Sequence, residues 1–398
     1  MNFQKMTKYL VLLMAVFSFA IALPTLTSAQ TDVVVLDASG ASFPQPLITR
    51  WADEFYNLTE EIVQVNYGGG GSGTGISDFI AKSVVFAGTD APLDAEERTD
   101  ATEAGGVHFH IPETMGAVVL IYNIPSFTST IVLNATVTAM IFQRNITTWN
   151  HAMIAELNPT ITLPSEDIVV VRRADSSGTT FAFTDYLSSA ASGTWVLGKS
   201  KTIDWPADTL GGQKNAGVAN EVSQSDYSIG YVEFGYAQSD DTLNVANMVN
   251  KDGKTVSPTV ATVTAAADGG ASSLPNGEDS WETVSIANQP GNDAWPIATF
   301  TYLLVYKNMT TQGEKGAALI AFLKYIMTDE AQAYATELGY APLPASVIQN
   351  SLRSIGLIEY DTDYNPDDYT VTAGSPGFTL LPILAGIAII GIIVKKRN

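Results

Sequence analysis

The spacing of hydrophobic positions changes several times along the chain, and each change marks an element. Three valines and a leucine over residues 33–36 read as a short strand. Residues 44–56 switch to helical spacing, with Leu47, Trp51 and Phe55 four apart on one stripe. A second strand is expected over 62–67, followed by Gly68-Gly69-Gly70-Gly71-Ser72-Gly73-Thr74-Gly75 and an amphipathic stretch over 76–82. A third strand over 84–88 leads into Thr89-Asp90-Ala91-Pro92. Farther on, strands are predicted at 117–122, 168–172, 229–232 and 300–306, and helices at 137–142, 178–189, 315–326 and 330–338. Residues 256–277 are rich in Ala, Thr, Ser and Gly, have weak periodicity and suggest no function. Strands alternating with helices predict an α/β protein with mostly parallel pairing, and no solenoid repeat appears.

The two ends carry a different pattern. Lys5 and Lys8 precede an apolar run over 9–23, which gives way to Thr27-Ser28-Ala29. This reads as a secretory signal over 1–29 with the exported chain starting near Gln30, an uncleaved anchor being the alternative. At the other end, 359–376 reads as a short acidic tether and 377–394 as an uncharged run rich in Leu, Ile, Ala and Gly. At about 1.5 Å per residue that run is just long enough for a transmembrane helix. Lys395, Lys396 and Arg397 then mark 395–398 as a cytoplasmic tail. The body would therefore sit at the outer face of a membrane, a layout suited to a single-membrane cell such as an archaeon. Sequons at Asn57, Asn134, Asn145 and Asn308 give weak support to export.

Composition narrows the function. The 398 residues are 46% hydrophobic and 15% charged, enough for two lobes with a large core. The net charge of −21 argues against nucleic acid and would repel anions at long range, so an anion site here must rest on local dipoles and hydrogen bonds. The chain has no cysteine, which excludes disulfides, thiolate metal sites and a cysteine nucleophile. Its three histidines are too few for a confident metal site; His108 and His110 are expected as surface residues on one face of a strand. No metal or cofactor is expected.

Three segments share one design, in which small hydroxyl or glycine residues stand at the first turn of a helix. A helix start offers free N–H groups and a positive dipole end to an anion. The first segment is Gly40-Ala41-Ser42-Phe43-Pro44, which on its own also reads as an ordinary N-cap. The second is the glycine loop with Ser72 and Thr74, for which a flexible linker is an equal alternative; no lysine follows it, so it is not a Walker loop. The third is Arg172-Arg173-Ala174-Asp175-Ser176-Ser177-Gly178-Thr179-Thr180, where arginine side chains at a strand end sit beside a Ser-Gly-Thr helix start. Asp90 is the odd residue, because a carboxylate should repel an anion. It fits a ligand that carries a proton, as phosphate does and sulfate does not; alternatively it is an Asx turn before Pro92.

These segments together resemble the phosphate-binding protein of high-affinity phosphate ABC importers. The resemblance runs in order through 40–46, Val65-Asn66-Tyr67 with the Ser72 loop, 86–93, 172–181, Ile229-Gly230-Tyr231-Val232-Glu233 and 338–344, and covers about 33–349. It implies a two-lobed type II periplasmic-binding-protein fold with the ligand cleft between lobes. The chain would cross near 111–116 and return near 295–299. Lobe one would hold 30–111 and 297–358, and lobe two 112–296. The resemblance further implies that Ser42, the Phe43 N–H, Ser72, Arg173, Ser177, Gly178 and Thr179 hold phosphate. Asp90 would accept the ligand's proton and Asp175 would orient Arg173. Ser176 stands where the bacterial pattern commonly has glycine, and a C-terminal span replaces the free or lipid-anchored form. The expected protein is not an enzyme. It acts as a monomer that binds inorganic phosphate outside the cell and passes it to importer permease subunits. The alternatives are the same fold with molybdate, tungstate or sulfate, a surface phosphatase, or an adhesion protein.

Overall fold

A computed structural model describes residues 33–270 and 274–369. The expected signal over 1–29, the anchor over 377–394 and the tail over 395–398 lie outside the described residues, as does the tether beyond residue 369. Among the described residues no helix is long and apolar enough to cross a membrane.

Strand β1 (Val34–Gly40) pairs in parallel with β2 (Val63–Gly69) on one side and β3 (Phe86–Thr89) on the other. Between them run α1 (Gln45–Leu58) and α2 (Ser72–Ile80), and α3 (Ala95–Gly105) follows β3. The stripe predicted for α1 is buried, and the indole of Trp51 donates to Ala331 O at 2.7 Å. A capping box between Asp94 and Glu97 opens α3. Next comes β4 (His108–Asn123), 16 residues long, then β5 (Val132–Leu133), α4 (Ala135–Phe142) and α5 (Ala152–Leu157). The middle of the chain adds β6 (Val169–Arg173), α6 (Gly178–Ala190), β7 (Leu210–Gly212), α7 (Lys214–Gln224), β8 (Ser228–Glu233) and α8 (Phe234–Gln238). The short strands β9 (Asn244–Val245), β10 (Asn247–Val249) and β11 (Thr255–Val256) precede α9 (Val260–Gly270), and β12 (Ala298–Tyr306), α10 (Glu314–Ile326), α11 (Asp329–Glu337) and α12 (Ala345–Ile355) complete the described chain.

The main sheet has the order β2-β1-β3-β12-β4-β8-β6-β7, with β9 also beside β4. Pairing is parallel at the two flanks, but β12 runs antiparallel to both β3 and β4, and β4 antiparallel to β8. The expectation of mostly parallel pairing therefore fails at the centre. The reason is topological: β4 runs without a break from its pairing with β12 to its pairing with β8, and β12 brings the chain back alongside it. β4 pairs with β12 up to Ala117 and with β8 from Val118 onward. The amide of Val118 donates to Ile297 O at 2.9 Å, just before β12 begins. The register of β4 against β12 shifts between Thr301 and Tyr302, where Glu113 is the extra residue of a bulge and accepts from Thr301 Oγ1 at 3.0 Å.

His108 and His110 do share one face of β4, but they are buried rather than on the surface. His110 Nε2 accepts the amide of Leu93 at 3.1 Å, and burial pushes its pKa down to about 3. Both rings pack among Phe79, Trp281, Tyr302 and Tyr306, which makes them core residues. Residues 256–277, which gave little signal, include the helix α9.

Candidate functional site

The site forms where strand ends meet helix starts. Gly40 closes β1 at φ +146°, and a Cβ there would lie 2.1 Å from Gly88 O. Only glycine allows this contact, which draws the loops after β1 and β3 together and brings Ser42 and Asp90 to one end of the sheet. Ser42 is buried and does not cap α1; its Oγ accepts the backbone amide and Nδ2 of Asn215 at 3.3 and 3.2 Å. The Phe43 ring is buried beneath, and its carbonyl accepts the Tyr340 hydroxyl at 2.7 Å.

The glycine loop is held by hydrogen bonds to both of its sides and is not a free linker. Gly71, at φ +97°, donates to Gly40 O at 2.8 Å, and Gly73 donates to Ser176 O at 3.1 Å. Ser72 opens α2, and its Oγ accepts the amides of Asp90 at 3.2 Å and Gly178 at 3.0 Å. The contacts with residues 176 and 178 join the β1–β3 side of the molecule to the β6–β8 side.

Arg173 ends β6 with its side chain 1% exposed. Its guanidinium donates from Nε to Asp175 Oδ1 at 2.8 Å, from Nη2 to Asp175 Oδ2, and from Nη1 to Thr179 Oγ1 at 3.1 Å. Asp175 therefore holds the fork in place through two bonds, and it also accepts the Lys214 amide at 3.1 Å. Burial alone would raise the Asp175 pKa, but the hydrogen bonds and charge of Arg173 bring it below the usual carboxylate range. Ser177 caps α6 by accepting the Thr180 amide at 3.1 Å. A Cβ on Gly178 would fall 2.4 Å from Ser72 Oγ and 2.5 Å from Asp90 Cβ, so glycine is what lets α6 begin against Ser72 and Asp90.

Asp90 is 2% exposed, and its Oδ1 is buried with no hydrogen-bond partner. Burial pushes its pKa up to about 8; the charge of Arg173 pulls it down and that of Asp175 pushes it up. It plays no turn role, because the turn before Pro92 is made by Thr89, whose Oγ1 accepts the Ala91 amide and donates to the Ala91 carbonyl. An unpaired buried carboxylate in native structure calls for an explanation, and a ligand donor is the simplest.

All nine residues singled out in the sequence meet here: Ser42, Phe43, Ser72, Asp90, Arg173, Asp175, Ser177, Gly178 and Thr179. Arg172 does not join them; it turns toward Thr209 on β7's side, 3.4 Å away. Several neighbours escaped the sequence reading. Asn215 is fully buried and bonds Ser42, Thr179 and the Glu233 amide. Tyr231 accepts the Arg173 amide at 3.3 Å and is hydrogen-bonded to Thr180 Oγ1 at 2.7 Å. Tyr236 donates to Ser42 O at 2.7 Å. The signal for Asn215 was present: Gly211-Gly212-Gln213 closes a strand and opens a helix, the same design as the other three segments. Among the described residues no group of side chains could hold a metal ion.

The PBP superfamily domain matches residues 27–330. The phosphate-binding protein PstS of Methanocaldococcus jannaschii is 35% identical over 342 residues, covering 82% of this chain and 87% of that protein. Its counterpart from Pasteurella multocida is 36% identical over 353 residues, covering 86% and 94%. Among solved structures, the phosphate-binding protein from Stenotrophomonas maltophilia superposes with a TM-score of 0.64 at 22% identity, covering 81% of this chain and 94% of that one. A high-affinity periplasmic phosphate-binding protein, solved with phosphate at pH 8.5, gives the same TM-score at 23% identity, covering 80% and 92%. The chain belongs to the PBP superfamily and, within it, to the family of the PstS phosphate-binding proteins.

Proposed function

We infer that this chain binds inorganic phosphate between its two lobes, outside the cell, and delivers it to an ABC importer. The observation that carries this is one buried arginine facing one unpartnered buried carboxylate amid several helix starts. Arg173, the hydroxyls of Ser42, Ser72, Ser177 and Thr179, and the backbone amide of Phe43 supply donors for the ligand oxygens, while Gly178 lets α6 begin against Ser72 and gives its amide to the Ser72 hydroxyl. Asp175 keeps Arg173 oriented. Asp90 supplies an acceptor, and dibasic phosphate brings the O–H that it needs. Sulfate is an acceptor on every oxygen, so it can be held only if Asp90 itself carries a proton. That state becomes unfavourable as the pH rises past about 8.

The change of partner along β4 supports lobe one as 30–111 with 297–358 and lobe two as 112–296, with β4 and the approach to β12 as the crossings. Release then requires the lobes to part at the bonds from Gly178 to Ser72, Gly73 to Ser176, and Asn215 to Ser42. No covalent step is needed, and the protein acts as a monomeric carrier and not as an enzyme. The signal-like residues 1–29, the acidic tether and the apolar run over 377–394 support an address at the outer face of the cell membrane. Calorimetric titration of the purified chain with phosphate tests the reading. Saturable binding of one phosphate per chain is expected, with no release of phosphate from a phosphomonoester whether or not divalent metals are present. A chain that turns over the ester, or that takes up no phosphate, refutes it.

A further inference from the structure

We propose that Asn215 is a positioning residue that fixes the Ser42 and Thr179 hydroxyls as donors aimed at the ligand. The inference rests on the phosphate-binding reading above. A hydroxyl oxygen has two lone pairs and one proton. Ser42 Oγ receives the backbone amide of Asn215 at 3.3 Å and its Nδ2 at 3.2 Å. Thr179 Oγ1 receives Asn215 Nδ2 at 3.2 Å and Arg173 Nη1 at 3.1 Å. Both lone pairs of each oxygen are therefore taken, and what each hydroxyl has left is its proton, which can only donate.

Ser72 reaches the same condition by another route, since its Oγ receives the amides of Asp90 and Gly178. Three hydroxyls at three helix starts are thereby set as donors in the closed site. A serine without such neighbours could equally accept, and would have to be reoriented on binding.

The amide of Asn215 is itself held in one orientation. Its Oδ1 accepts the Glu233 amide at 3.0 Å, so a flipped side chain would set an NH2 group against that N–H. Its two Nδ2 protons then match two acceptors, Ser42 and Thr179, which stand on opposite sides of the site. One fully buried side chain on α7 thus sets the polarity of hydroxyls from both sides.

The test is a double-mutant cycle read by phosphate titration. Asn215→Ala is expected to weaken phosphate at least about tenfold in the natural background. It should cost less than about twofold once Ser42→Ala and Thr179→Val have removed both hydroxyls, because nothing then remains for it to orient. Asn215→Asp is the second variant: it keeps the volume and the acceptor for Glu233 N–H but turns both donors into acceptors. The two hydroxyls would then donate to the new carboxylate, and phosphate should weaken at least about 100-fold. Thermal unfolding of each variant identifies any that fail to fold. Equal losses from Asn215→Ala in both backgrounds, or an Asn215→Asp variant that folds and binds like the natural chain, overturn the inference. A natural chain that binds no phosphate overturns the phosphate reading, and the inference with it.

Discussion

In the proposed phosphate site the cation is Arg173, in a protein of net charge −21. Its Nε and Nη2 are committed to Asp175, and Nη1 to Thr179, so the guanidinium cannot swing. A lysine has a point charge and no fork, and it cannot keep both Asp175 bonds while reaching Thr179. Arg173→Lys should therefore lower phosphate affinity by about 100-fold, measured by titration, even though the charge is retained. An unchanged affinity would mean that charge alone matters at this position. Asp90 works in the opposite sense. Its Oδ1 has no partner within the protein, so Asp90→Asn replaces an acceptor for the ligand's proton with a group that can donate. Phosphate should weaken by about tenfold or more while sulfate strengthens, and equal weakening of both would contradict that role. In the sequence this residue stood out because it was the wrong charge for its surroundings, which is why it could be singled out there. Asn215 did not stand out in the same way: a glycine pair precedes it, but the two hydroxyls that give it importance are brought to it only by the fold.

At the scale of elements, the site depends on helix starts packed against strand ends. Gly178 is the tightest of these junctions, since any Cβ would meet Ser72 Oγ and Asp90 Cβ. Gly178→Ala should push α6 away from α2, weaken phosphate by about 100-fold or more, and give a larger radius of gyration in solution with phosphate present. Unchanged compactness and affinity would show that the lobes close without this contact. Elements with a strong period were legible in the sequence: the Leu47, Trp51, Phe55 stripe of α1, the apolar β6 before Arg173, and α10 all stand near their expected places. The first half of β4 was legible only as a strand carrying His108 and His110, and neither its length nor its burial could be read, because His108, His110, Pro112, Glu113 and Thr114 break the apolar pattern. These residues are buried by long-range partners, namely β12, the Leu93 amide and the Thr301 hydroxyl, which local spacing does not reveal. Helix α7 was missed for a related reason: Lys-Asn-Ala-Gly-Val-Ala-Asn-Glu has little period, and its start is fixed by Asp175 accepting the Lys214 amide.

For the whole molecule, acidity in the interior has a measurable consequence. Burial pushes Asp90, Glu113 and Glu233 up to about 8 each. In the unfolded chain these carboxyls are ionised above about pH 5, so between there and pH 8 the folded state holds protons that the unfolded state does not. Stability from these groups is thus greatest at low pH and is lost as the pH rises toward their folded values. His108 and His110 have lowered values, so they are neutral in the folded state and finish losing their protons in the unfolded chain by about pH 7.5, which offsets only a small part of the loss; Asp175 is ionised in both states and offsets none. The melting temperature of the ligand-free chain should accordingly fall from about pH 6.5 to pH 8, measured by scanning calorimetry in phosphate-free buffer. A flat or rising profile would show that these carboxyls are not held protonated. The same protonation governs ligand choice, and there the account is most exposed. The most direct test is the ratio of phosphate to sulfate affinity, titrated from about pH 6 to pH 9. The account predicts a preference for phosphate that widens as the pH passes about 8, where Asp90 can no longer supply the proton that sulfate lacks. A ratio near one, or one that does not change with pH, would contradict it.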